Sequence, residues 1–209
     1  MKSPKIFSRH ALAAIGLSLA IALPAAARAE SAGAGAVRTL YATLLNVMQN
    51  GPALGPQGRY ARIEPVVTQV FDIPLMTRLA VGPSWSSLTA TQQQQIMQAF
   101  TRYIAAVYAE RFDSYSGERL QVTGEQNSAG GLIVTSEIVK SDGSPVHINY
   151  LMRQSGGTWQ IADVYLDGTI SELATRRSEF GSILRYRGVD GLIATLNGKA
   201  AALGAARAS

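Results

Sequence analysis

The sequence predicts an α+β fold, a curved four-stranded antiparallel sheet wrapped by about six helices, and three observations predict it. Alternation from Val146 to Arg153 puts Val146, Ile148, Tyr150 and Met152 on one face and His147, Asn149, Leu151 and Arg153 on the other. Asp142-Gly143 and Gly156-Gly157 stand where tight reversals are needed, because these residues accept positive φ at little cost. Runs with helical spacing flank the strands on both sides, and a sheet that is apolar on one face must have that face covered. The strands are expected at Arg119–Glu125, Gly131–Lys140, Pro145–Gln154 and Thr158–Asp167.

Taken in order, the chain begins with Lys2, Lys5 and Arg9, an apolar run from Ala11 to Leu23, then Pro24 and the small-residue site Ala27-Arg28-Ala29. That arrangement is a secretory signal peptide over residues 1–29, too short for a good membrane span. Residues 30–209 read as one domain, with Ser31–Ala36 as an unstructured leader and fraying after about residue 203. Helical spacing covers Val37–Asn50 through Leu40, Tyr41, Leu44, Leu45 and Met48. Gly51-Pro52 ends that helix, Gly55–Gly58 is a loop, and Arg59–Phe71 resumes the helical pattern. Asp72 caps a short helix with Pro74 in its first turn, closed by Gly82-Pro83. Thr89 with Gln92 has capping-box spacing and opens the longest helix, to Phe112. Thr169 with Glu172 repeats the box after the sheet. Gly188 ends that helix, and Val189–Leu203 is the last one.

Composition excludes several functions. The chain contains no cysteine, which rules out disulfides, thiolate metal sites and a lipoprotein anchor. The formal charge of +5 sits mostly in the signal segment. Without Lys2, Lys5, Arg9 and Arg28 the chain keeps 15 basic residues against 14 acidic, a net charge near +1. No basic stripe remains for nucleic acid.

Catalytic material is thin. His147 is the single histidine after the signal segment, no Gly-x-Ser-x-Gly elbow presents a serine, and no tight carboxylate cluster offers a metal site. Asp163 interrupts an apolar strand. One reading makes Asp163 or His147 the base of an enzyme acting on a small apolar substrate. The plainer reading has Asp163 accept backbone hydrogen bonds or pair with an arginine such as Arg153, and leaves His147 on the polar side of a strand. The aromatic and Met side chains fit a filled core as well as a hollow one.

Three stretches carry a resemblance. Asp72-Ile73-Pro74-Leu75-Met76-Thr77-Arg78-Leu79-Ala80-Val81-Gly82-Pro83-Ser84-Trp85 is similar to the D-x-P-x-M-x-R-x-x-x-G-x-x-W pattern of the MlaC family of periplasmic phospholipid-binding, or toluene-tolerance, proteins. Phe112-Asp113-Ser114-Tyr115-Ser116-Gly117 is the second. The third runs from Tyr150-Leu151-Met152-Arg153 through Trp159, Asp163 and Asp167-Gly168-Thr169-Ile170-Ser171 to Arg177-Ser178-Glu179-Phe180. The last two most resemble the hopanoid-associated HpnM branch. The resemblance implies a non-enzymatic periplasmic carrier without cofactor, holding phospholipid or hopanoid-type lipid in an apolar cavity between sheet and helices. Its implied partners are an inner-membrane lipid transport complex and an outer-membrane lipoprotein complex, with transient contact with membranes. Side-chain pattern then nominates Leu75, Met76, Leu79, Phe100, Ile104, Val107 and Tyr108 from the helices as lipid-binding. From the sheet it nominates Val134, Ile138, Ile148, Tyr150, Met152 and Val164. Arg78 and Arg177 are candidates for a head group at the mouth, with surface solvation as the plainer role.

Overall fold

The computed structural model describes residues 32–205, so the expected signal peptide and the last four residues lie outside the described residues. Five α-helices and five strands follow one another as α1 (Ala32–Gln49), α2 (Gly51–Val70), α3 (Ile73–Val81), a 3₁₀ turn (Gly82–Ser87), α4 (Ala90–Arg111), β1 (Arg119–Ser128), β2 (Gly131–Val139), β3 (Pro145–Ser155), β4 (Thr158–Leu166), β5 (Ile170–Ser171) and α5 (Glu172–Ala202). The strands form an open antiparallel meander in the order β1-β2-β3-β4-β5. No described helix is long and apolar enough to cross a membrane.

Register explains which side chains face the helices. Val134 pairs with Tyr150 and Tyr150 with Val164, while Met152 pairs with Ile161. Directly opposed residues share a face, so Ile161 and Val164 both point inward although three positions apart. The irregularity opposite Leu151 and Met152 leaves Ala162 as the extra residue, and this bulge restores the apolar face.

The sheet has five strands, not the expected four. Asp167 (φ 48°) and Gly168 (φ 75°) form a tight turn closed by Thr169 N–H to the Leu166 carbonyl, and Ile170–Ser171 returns along β4. Thr169 is therefore spent in the turn and does not cap α5. Ser171 is the cap, its Oγ accepting from Ala174 N–H at 2.9 Å.

Glycines break two of the helices. Gly51–Val70 is helical on both sides of a break at Gly55 (φ 62°, ψ 176°), so the expected loop narrows to that one residue and residues 56–58 already belong to the helix. Gly188 (φ 66°, ψ −169°) is non-helical, so the helix expected to end there does end, and α5 is two helices meeting at a kink; taken as one element it makes five helices where about six are expected. Residues 32–36 belong to α1 and are not a leader. Ala34 N–H donates to Glu125 Oε1 at 2.7 Å, giving the early turn an acidic partner from β1. At the other end Ala205 is buried.

The expected caps of α3 and α4 are present. Asp72 accepts from Leu75 N–H, and Thr89 and Gln92 bond each other's backbone reciprocally. The α2–α3 junction hooks onto β4: Phe71 bridges Ile161 in parallel, and Asp72 N–H donates to the Ile161 carbonyl at 2.9 Å. One apolar core results, with α1 packed on the sheet and α4 between α2 and α5. Phe100 meets Phe180 edge-on at 5.3 Å, joining α4 to α5.

Candidate functional site

Between the concave face of the sheet and α3, α4 and α5 lies a pocket of about 370 Å³, a size within the roughly 300–1,000 Å³ of small-molecule sites. The strands contribute Ile138, Val146, Ile148, Tyr150, Val164 and Leu166. The α4 stripe contributes Phe100, Tyr103, Ile104, Val107, Tyr108 and Arg111, and Phe112 follows it. These positions recur at three and four residues and so share one helix face. Phe71, Met76 and Leu173 complete the apolar wall, while Asp167, Glu172 and Arg176 join Arg111 as its charged members.

Aromatic contacts fix one side of the wall. Tyr108 packs on Phe71 at 5.8 Å and stacks on Phe112 at 5.8 Å, with ring planes 10° apart. At the floor, hydroxyls satisfy one another. Tyr150 donates to Tyr41 at 3.3 Å, Tyr41 to Ser136 Oγ at 2.6 Å, and Ser136 to the Ile148 carbonyl at 2.5 Å. Tyr108 itself is partly buried and lines the pocket. Burial pushes the phenols of Tyr41, Tyr108 and Tyr150 above their ordinary value. They remain protonated and uncharged.

The charged wall residues differ in their partners. Arg176 bonds Glu172 at 3.0 Å and Glu179 at 3.0 Å, and its guanidinium lies 5.2 Å from the Tyr103 ring centroid. Lys199 also bonds Glu179. Burial alone would raise Glu179, but hydrogen bonds from Lys199 and Arg176 hold it below the usual carboxylate range. The side chains of Arg111 and Asp167 make no hydrogen bond or ion pair with any described residue, and both residues are exposed.

Nine of the thirteen nominated residues stand on this wall: Met76, Phe100, Ile104, Val107, Tyr108, Ile138, Ile148, Tyr150 and Val164. The other four do not. Val134 and Met152 face inward but are fully buried in the core, away from the pocket. Leu75 is partly exposed, and Leu79 keeps 39% of its surface. Arg78 and Arg177 are off the wall as well; Arg177 lies beside Gly82. Sequence reasoning missed Phe71, Tyr103, Phe112, Val146, Leu166, Leu173 and the four charged residues. Two carried a usable signal, since Tyr103 continues the α4 stripe and Val146 the inward alternation of β3.

The two proposed bases lie elsewhere. Asp163 Oδ1 accepts from Val164 N–H at 2.7 Å and Leu173 N–H at 3.0 Å, and Oδ2 from Ser171 Oγ at 2.6 Å. Its carboxylate tethers the start of α5 to β4. The side chain of His147 is 64% exposed, with Glu137 3.9 Å away. Neither residue lines the pocket. No group of three or more metal-ligating His, Cys, Asp or Glu occurs among the described residues. Chemically, the arrangement can enclose an apolar chain and meet a polar end at its rim.

Residues 38–198 match the family model described as MlaC protein. Among solved structures, the chain is similar to the phospholipid-binding protein from Ralstonia solanacearum, determined in complex with a phospholipid. The TM-score is 0.71 at 24% identity, covering 83% of this chain and 99% of that one, a shared fold.

Proposed function

This chain belongs to the MlaC family, and we propose that it is a periplasmic carrier that binds phospholipid or hopanoid-type lipid and passes it between membranes. The observation that carries this reading is the pocket: a carbon-lined hollow between sheet and helices, with charged side chains among its lining residues. Transfer of each methylene out of water is worth ~0.8 kcal/mol, so one long acyl chain represents on the order of 10 kcal/mol. A carrier that encloses the chain conserves that free energy on the way across an aqueous compartment. It needs neither nucleotide nor covalent chemistry of its own.

In such a system the inner-membrane partner is a lipid transport complex and the outer-membrane partner a lipoprotein complex, each met transiently. The phospholipid bound by the Ralstonia protein, which shares this fold, supports a lipid as cargo. Lipid extraction of the purified protein followed by mass spectrometry tests the proposal. Stoichiometric co-purifying lipid, or uptake of fluorescent acyl chains by protein stripped of lipid, is expected. A folded protein that takes up neither would overturn it.

A further inference from the structure

The rim of the pocket bears on which lipid is read. Four charged side chains belong to the wall, but they are not equivalent. Arg176 and Glu172 are engaged with each other, and Arg176 is also bonded to Glu179. Arg111, in the last turn of α4, and Asp167, in the turn between β4 and β5, are bonded neither to each other nor to any other described side chain. Both are exposed, so they mark the solvent end of a pocket whose remaining wall is almost wholly carbon.

An amphiphile whose hydrocarbon fills the interior must leave its polar end at this rim. There it meets one uncommitted cation and one uncommitted anion. We infer that Arg111 and Asp167 form a head-group site for a zwitterionic lipid carrying a phosphate and an ammonium, the guanidinium taking the phosphate and the carboxylate the ammonium. Guanidinium suits phosphate because its planar fork presents several N–H donors together. A head with phosphate alone gains Arg111 but is repelled by Asp167. An uncharged polyol head of the hopanoid kind leaves both charges to water. The inference rests on the carrier reading and names its cargo class.

The test offers lipid-stripped protein vesicles of equimolar diacyl phosphatidylethanolamine and phosphatidylglycerol, with matched diacylglycerol added, and measures bound lipid by mass spectrometry. The wild-type protein is expected to favour phosphatidylethanolamine over phosphatidylglycerol by about two- to fivefold, the range an exposed charge pair contributes. High salt should shrink that preference. Asp167→Asn should bring the ratio close to one by lowering phosphatidylethanolamine uptake toward that of phosphatidylglycerol. Arg111→Gln should lower both phospholipids relative to diacylglycerol. Equal uptake of the two phospholipids by the wild type, or a ratio unmoved by Asp167→Asn and by salt, overturns the head-group site while leaving the carrier standing. Uptake of no lipid at all overturns the carrier itself.

Discussion

Gly51 faces the backbone carbonyl of Asp113 so closely that a Cβ built on it would stand 1.8 Å from the oxygen. The start of α2 is thereby pressed against the segment leaving α4, one residue beyond the wall residue Phe112. Arg59 reinforces the contact, donating from Nε to the Ala109 carbonyl at 2.8 Å and from Nη1 to the Gly51 carbonyl at 3.3 Å.

Gly51→Ala is accordingly expected to lower stability by about 1–3 kcal/mol, because backbone on both sides must move. Gly35→Ala is the matched comparison. That glycine lies within α1 with nothing near its missing Cβ, so alanine there should be neutral or stabilise by up to about 1 kcal/mol. Urea denaturation of the two variants against wild type measures the difference.

Asp163→Asn separates a structural carboxylate from a catalytic one. The substitution weakens the acceptors for Val164, Leu173 and Ser171, and should cost about 1–3 kcal/mol, as for hydrogen bonds to a charged group. Lipid uptake at a temperature where the variant is folded should stay at wild-type level. Intact stability with lost function would reverse the assignment.

Val107→Asp sets a carboxylate on the apolar wall, and burying that charge beneath a bound chain is prohibitive. Uptake of fluorescent acyl chains should fall at least tenfold. Leu79→Asp introduces the same charge on an exposed helix position off the wall and should bind normally. Circular dichroism melts of both confirm that folded protein is being compared.

The buried phenols give stability an alkaline limit. Tyr41, Tyr108 and Tyr150 release their protons at higher pH when folded than when unfolded, and the unfolded value is about 10. Their contribution is complete below that pH and is lost as pH rises toward the folded values, since the unfolded chain then sheds protons that the native state retains. The urea midpoint should hold up to about pH 9.5 and fall steeply above it. Tyr150→Phe should make that fall shallower. A midpoint equally flat through pH 11 in both proteins would refute the account.

Most of the sheet was legible in the sequence because period-two alternation and Asp-Gly or Gly-Gly turns act locally. Val146, Ile148 and Tyr150 fall on one face for that reason. The bulge at Ala162 leaves no local signal, since an extra residue is defined only by its partner strand. Ile170–Ser171 was hidden because two residues carry no period. On the helices, apolar spacing identifies a buried face without saying what covers it. Leu79 therefore looked equivalent to Met76, although one is exposed and the other lines the pocket. Arg111, Glu172 and Arg176 became wall residues only when the end of α4 met the beginning of α5. No local pattern encodes that meeting.

The hydroxyl series beneath the pocket sets how the empty site treats water. Tyr150, Tyr41 and Ser136 turn their polar atoms toward one another and toward a carbonyl, so a water entering the hollow meets few vacant partners. Apolar hollows of this kind wet poorly. A hydrocarbon guest of the kind proposed would then have little ordered water to displace on arrival.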